Sequence, residues 1–231
     1  MDSNQYEAQY ALFKDTLDKN RGFLVSDANK WPILNDDTNS TPYDSHYLYH
    51  TAWAARRIVA NKPKDHVDFS SYVYFSTILS AILPVRFYDY RPLNFSMNNF
   101  FPGKQDLCQT DFGDSTLSSV SCMHVIEHIG LGRYGDPIDP QGDIRAINEL
   151  KRIVAKNGYL YIVLPVAGVN KVHFNAHRVY TYRTIMDLFS GFTLKSSAVL
   201  CDRTGVFICD APESYFNTQN YGCGCFEFCK G

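Results

Sequence analysis

The spacing of apolar positions changes along the chain, and the changes mark its elements. Tyr6, Tyr10, Phe13 and Leu17 recur at helical spacing and predict a helix over 1–22. Residues 26–45 show no period and are rich in Asp, Asn, Ser, Thr and Pro, which predicts a long loop. A second helix is predicted over 45–61. From there strands and helices alternate. "HVDFSS" (66–71) is a short apolar strand, "YFSTILSAIL" (74–83) a helix ending at Pro84, and "VRFYDY" (85–90) a strand ended by Arg91-Pro92. "QDLCQTDF" (105–112) is a further short strand-like segment, and "TLSSVSCMHV" (116–125) another strand. The next helix opens at Asp139 or Pro140, buries Ile144, Ile147, Leu150 and Ile153, and closes at Asn157-Gly158. "YLYIVLPV" (159–166) is nearly all apolar, as a central parallel strand should be. A helix over 181–189 follows, and 192–200 with 205–211 form a closing antiparallel pair.

This alternation predicts an α/β fold with a doubly wound, mostly parallel sheet and an antiparallel closing strand. It divides the chain into an N-terminal helical and loop cap, 1–62, and an α/β domain, 63–231. With 231 residues the core needs no staples. The formal net charge is −2 and there is no long basic run, so charge gives no reason to expect nucleic acid. The first residues lack a basic-then-apolar leader. The most apolar stretch, "STILSAILPV", is about half of the ~20 residues a membrane span requires. The expectation is a soluble cytoplasmic protein with no membrane contact. Its seven cysteines would then stay reduced. Cys223, Cys225 and Cys229 form C-x-C-x3-C, which matches no common zinc spacing. They read as free thiols in a glycine-turned terminal strand rather than as a metal or redox site.

In open parallel sheets ligands bind beyond the carboxyl ends of the strands. Here those ends carry Asp68, Ser70 and Ser71, then Asp89, then Asp106, then His124, Glu127 and His128. The loop after the apolar strand carries His173, Asn175, His177 and Arg178. So many polar groups along one sheet edge predict one pocket. His124, Glu127 and His128 also spell H-x-x-E-H, a metalloprotease signature that requires a helix. A strand precedes them and Gly130, Gly132 and Gly135 follow, which leaves room for about one helical turn. A protease is therefore not the reading taken.

The order of these pieces resembles the class I S-adenosylmethionine-dependent methyltransferases over about residues 64–200. "HVDFSSYVYF", "VRFYDYRPL", "QDLCQTDF", "SCMHVIEHI" and "ELKRIVAKNGYLYIVLP" carry the resemblance. It implies a Rossmann-like fold, S-adenosylmethionine as cofactor and a small-molecule substrate. It puts Asp68, Ser70 and Ser71 at the methionine part of the cofactor, Asp89 at its ribose hydroxyls and Asp106 at its adenine. "VIEHIGLGRYGDPIDPQGD" and "FNAHR" further resemble an uncharacterised domain-of-unknown-function family, which implies no established reaction. The chain departs from the methyltransferase pattern at the first turn, which holds no glycine. Serine hydroxyls there could bond the cofactor carboxylate, or Tyr72 could fill the pocket.

Some methyltransferases, among them ubiquinone-pathway and small-RNA 2′-O-methyltransferases, carry E-x-x-E-H at this place with a later His, and bind a divalent metal. By that resemblance His124, Glu127, His128 and His177 form a set suited to zinc, iron or manganese, and His128, His177 and Arg178 are the catalytic candidates. The competing reading makes Glu127 a turn cap, with His128 near the cofactor and His124 an ordinary strand-end residue. His46 and His50, four apart, face one side of the second helix, either as a lid or, the reading preferred, as packing. Arg133, Tyr134 and Asp136 are candidate substrate contacts. The expected activity is O-methylation of a small hydroxylated substrate such as a sugar. The alternatives are a non-catalytic binding protein on the same fold and a metal-dependent hydrolase or isomerase without S-adenosylmethionine. Oligomeric state is not legible.

Overall fold

The computed structural model describes residues 1–91 and 93–231, so Pro92, expected to end a strand, lies outside the described residues. The chain divides into two compact units, Met1–Tyr43 and Asp44–Gly231. The second helix, expected to belong to an N-terminal cap, is part of the second unit. Its Trp53, Ala54 and Ile58 are buried in a core with Phe75, Val85 and Tyr161.

In the first unit, α1 (Ser3–Thr16) is opened by a capping box between Asp2 and Gln5. It is shorter than the spacing predicts. Leu17 is extended, and the Asp18 carboxylate takes the Asn20 N–H at 2.9 Å, a local bond that competes with helix continuation. None of the residues of α1 is buried, so packing adds nothing to prolong it.

In the second unit, α2 (Ser45–Asn61) is capped by Asp44, whose side chain accepts from Tyr47 N, and ends at Lys62 in the left-handed region. The sheet then builds from β1 (His66–Ser70), β2 (Val85–Asp89), β3 (Phe100–Lys104), β4 (Leu117–Met123), β5 (Val154–Val166), β8 (Phe192–Leu200), β9 (Phe207–Cys209) and β10 (Gly222–Lys230). Their spatial order is β3-β2-β1-β4-β5-β10-β8-β9. The first five run parallel; β10 is antiparallel to both β5 and β8, and β9 to β8. A two-stranded ribbon, β6 (Lys171–His173) with β7 (His177–Val179), stands beyond β5. The helices α3 (Val73–Leu79), α4 (Gly142–Ile153), α5 (Tyr182–Leu188) and α6 (Glu213–Phe216) complete the unit. No helix among the described residues is long and apolar enough to cross a membrane.

Two expectations are corrected. "QDLCQTDF" is not a strand: Asp106 accepts from Cys108 N at 2.8 Å and closes a turn with Gln109. The strand on that side is β3, whose Pro102 is tolerated because β3 is the sheet edge. The helix expected to run to Asn157 ends at Ile153, because the fully buried Val154 pairs with Leu117 and begins β5. The terminal strand, β10, enters the sheet between β5 and β8, which buries Cys223 and Cys225 completely.

Candidate functional site

Two adjoining cavities lie in the second unit, beyond the carboxyl ends of β1, β2 and β4. The first is walled by apolar groups, including Phe69, Tyr88, Leu107, Val125 and Ile129, and also by Ser70, Ser71, Asp89 and Asp106. Asp89 Oδ1 accepts from the Arg91 N–H at 2.7 Å, and among the described residues nothing donates to its Oδ2. Asp106 uses one oxygen to hold its own turn. An apolar slot with two carboxylates at its rim fits an aromatic base carrying a diol.

The glycine-free turn is explained by what its side chains do. Tyr72 does not fill the first cavity: it packs at a tilt against Tyr47 (ring centroids 4.9 Å) and Tyr74 (5.5 Å) and stays 37% exposed. Asp68 does not reach the cavity either, contrary to the expected cofactor contact. It is wholly buried, and its carboxylate accepts from Ser70, Ser76 and Ser121. Burial raises its pKa to about 6, against the opposing pull of the three hydroxyls. The Ser70 proton is thus held by Asp68, and Ser71 lies 3.3 Å from the Tyr47 hydroxyl.

The second cavity is polar. Asp44, His46, Tyr47, Glu127, Arg133, His177 and Tyr221 line it, and Ser71, Arg91, His124, His128 and Tyr134 are shared with the first. Its centre is the turn after β4. His124 holds φ = 54°, a left-handed backbone uncommon for a residue other than glycine, and this re-aims the chain into a 3-10 turn, Ile126–His128. Glu127 is 1% exposed; one oxygen lies 2.8 Å from His124 Nδ1 and the other is buried without a partner. His128 Nδ1 donates to the Ala176 carbonyl at 2.6 Å, which leaves Nε2 as a lone pair, 3.9 Å from Glu127.

The expected four-residue metal set shares this cavity but is not a coordination sphere. Among the described residues, the one group of three or more potential ligands within 4.8 Å of one another is His46, His124 and Cys223. Glu127 is taken up by His124. His177 packs on Tyr221 (4.9 Å) and His173 (5.2 Å), with its ring 6.4 Å from that of His128. Arg178 is also corrected: it is buried, donates to the Ile129 carbonyl at 2.6 Å and lies 3.6 Å from Asp143, so it holds a loop rather than a ligand. Asp136 does the same, accepting from the N–H groups of Gly130, Gly132 and Tyr134. His46, read as packing, is a cavity residue, and Cys223 was read only with its neighbouring cysteines. His50, read with it, is packed as expected at 1% exposure.

Comparison with known proteins agrees with this architecture. Residues 108–199 match the family described as Caenorhabditis protein of unknown function, DUF268. No curated protein matches the chain. Among solved structures, Burkholderia thailandensis 1,6-didemethyltoxoflavin-N1-methyltransferase, with 1,6-didemethyltoxoflavin and S-adenosylhomocysteine bound, is similar at TM-score 0.55 and 11% identity, covering 100% of this chain and 91% of that one. The N-methyltransferase NodS from Bradyrhizobium japonicum WM9, in complex with S-adenosylhomocysteine, is similar at 0.54 and 12%, covering 85% and 93%. The [4+2]-cyclase SpnF is equally similar, at 0.55 and 11%, covering 80% of each chain, so the fold alone does not name a reaction. The chain has the fold of the class I S-adenosylmethionine-dependent methyltransferases, and within it residues 108–199 carry the DUF268 pattern.

Proposed function

We propose that the chain is an S-adenosylmethionine-dependent methyltransferase acting on a hydroxyl of a small polar substrate such as a sugar. The observation that carries the reading is the pair of cavities, one apolar with carboxylates at its rim, the other polar, joined at His124 and His128. The first fits the cofactor: Asp89 Oδ2 is open to a ribose hydroxyl, and Tyr72 leaves the slot clear. When bound, the cofactor supplies a methyl group on a positively charged sulfur. The chain's own task is to hold the substrate oxygen at the joint and take its proton. His128 suits that step, because the Ala176 carbonyl fixes its Nδ1 proton and turns the basic Nε2 inward. Glu127, His177 and Arg133 line the polar side and orient hydroxyls by hydrogen bonding. Metal assistance by the four-residue set is not part of the proposal, since those residues do not converge.

Calorimetric titration with S-adenosylmethionine and S-adenosylhomocysteine tests the reading. Both should bind. Asp89→Ala removes a hydrogen bond between an ionised group and a hydroxyl, about 1.5–3 kcal/mol, so affinity should fall roughly 10- to 150-fold. Its circular dichroism and melting temperature should stay near those of the native chain, since Asp89 sits at a strand end. No heat with either compound and the folded protein would exclude the cofactor. Undiminished affinity in the variant would remove Asp89 from the site.

A further inference from the structure

Behind the polar cavity, whose lining includes His46 and His124, stands a set of groups that methyl transfer does not use. His124 donates its Nδ1 proton to the buried Glu127 carboxylate, so its Nε2 faces the other way, 3.6 Å from Cys223 Sγ. His50, 1% exposed, donates its Nδ1 proton to the His46 carbonyl at 2.7 Å. Its Nε2 is buried without a hydrogen-bond partner and faces the Cys223 thiol. The ligand atoms of His46, His124 and Cys223 lie within 4.8 Å of one another, and Cys223 is wholly buried.

We propose that His46, His124 and Cys223 bind one zinc ion. One thiolate and two imidazoles match the nitrogen and sulfur preference of tetrahedral zinc, and three protein ligands leave its fourth position open. The supporting contact is that of a metal-bound histidine: the Glu127 carboxylate stands behind the His124 ring and holds its far proton, so that Nε2 faces inward. The ligands come from α2, the end of β4 and the start of β10. The ion therefore fastens α2, which carries part of the polar cavity's wall, to the sheet. This inference does not rest on methyl transfer.

The test is zinc content per chain of reduced, folded protein after incubation with zinc alone, together with the absorption of the cobalt-substituted protein. The native chain should hold one equivalent and show a thiolate-to-cobalt charge-transfer band. Cys223→Ser should lose both, and Cys229→Ser, at the far end of β10, should keep both. Should Cys223→Ser fail to fold, Glu127→Gln leaves every ligand in place and should weaken zinc affinity about 10- to 100-fold. Chelation should lower the melting temperature of the native chain. A reduced, folded native chain without zinc or the cobalt band would overturn the site, as would a Cys223–Cys225 disulfide in its place. Unchanged zinc affinity in Glu127→Gln would remove His124 from the ligands.

Discussion

Asp68→Asn protein should lose stability much more steeply than the native chain as pH falls from 6 to 4. The reason is a buried pair whose pH responses oppose each other. His66 and Asp68 are both fully buried on β1 and are linked through Ser121. Ser121 donates to Asp68, so it accepts from His66 Nε2, and Ser119 donates to His66 Nδ1 at 2.7 Å. The imidazole is thus neutral and fully bonded. Burial lowers its pKa from 6.5 to about 3, while burial raises that of Asp68 from 3.8 to about 6. Between about pH 3 and 6.5 the unfolded chain binds the extra proton at His66, so that residue makes stability fall on acidification. Between about 3.8 and 6 the folded chain binds the extra proton at Asp68, so that residue makes stability rise on acidification. In the native chain the two slopes nearly cancel over pH 4–6. The amide of the Asp68→Asn variant can keep the serine hydrogen bonds, and it removes the second slope. The His66 slope, about 1.4 kcal/mol per pH unit, then stands alone. The variant should lose about 2 kcal/mol more than the native chain from pH 6 to 4. Urea unfolding at pH 4, 5, 6 and 7 for both proteins measures this difference, and parallel stability curves would dismiss it.

The same pair shows what the sequence made legible and what it hid. β1 is visible as a short apolar run bounded by polar residues, and β5 because its core is continuously apolar. The strand-end rule then collected Ser70, Ser71, Asp89 and Asp106 at one cavity without any view of side chains. It misplaced Asp68, because alternation along a strand fixes a face but not the partners on that face. Those partners, Ser76 and Ser121, belong to other elements. β3 was hidden by Pro102, which reads as a strand breaker until the strand is known to be the edge. The metal-like set failed for a related reason. H-x-x-E-H shows three groups close along the chain, but Glu127 turns back on His124 instead of outward. The groups that meet His124 come from positions 46 and 223, brought together only by helix packing and by the insertion of β10 into the sheet.

Gly130→Ala should open the loop that walls the first cavity and abolish most cofactor binding while the rest of the fold stands. Gly130 holds φ = +80°, and a Cβ built there would lie 2.0 Å from the Asp139 carbonyl oxygen, a backbone atom that cannot turn aside. The loop is closed by Gly130 N to Asp136 at 2.7 Å, by Asp139 N to the Gly130 carbonyl at 2.9 Å and by Arg178 to the Ile129 carbonyl at 2.6 Å. The left-handed backbone alone costs an alanine about 1–2 kcal/mol. Separating Gly130 from Asp139 loses further bonds worth about 1 kcal/mol each. Local opening should therefore be easier by roughly 3–5 kcal/mol. Ile129, Tyr134, Asp136 and Pro137 leave the cavity wall with the loop. Gly135 supplies the control, since its φ is +84° but nothing lies within 4 Å of an added Cβ. Gly135→Ala should show the backbone cost alone. Amide hydrogen exchange over residues 129–139 should accelerate strongly in Gly130→Ala and slightly in Gly135→Ala, and affinity for S-adenosylhomocysteine should fall in the same order. Equal exchange in the two variants would mean that the Asp139 carbonyl does not hold the loop shut, and the wall of the proposed cofactor cavity would need another fastening.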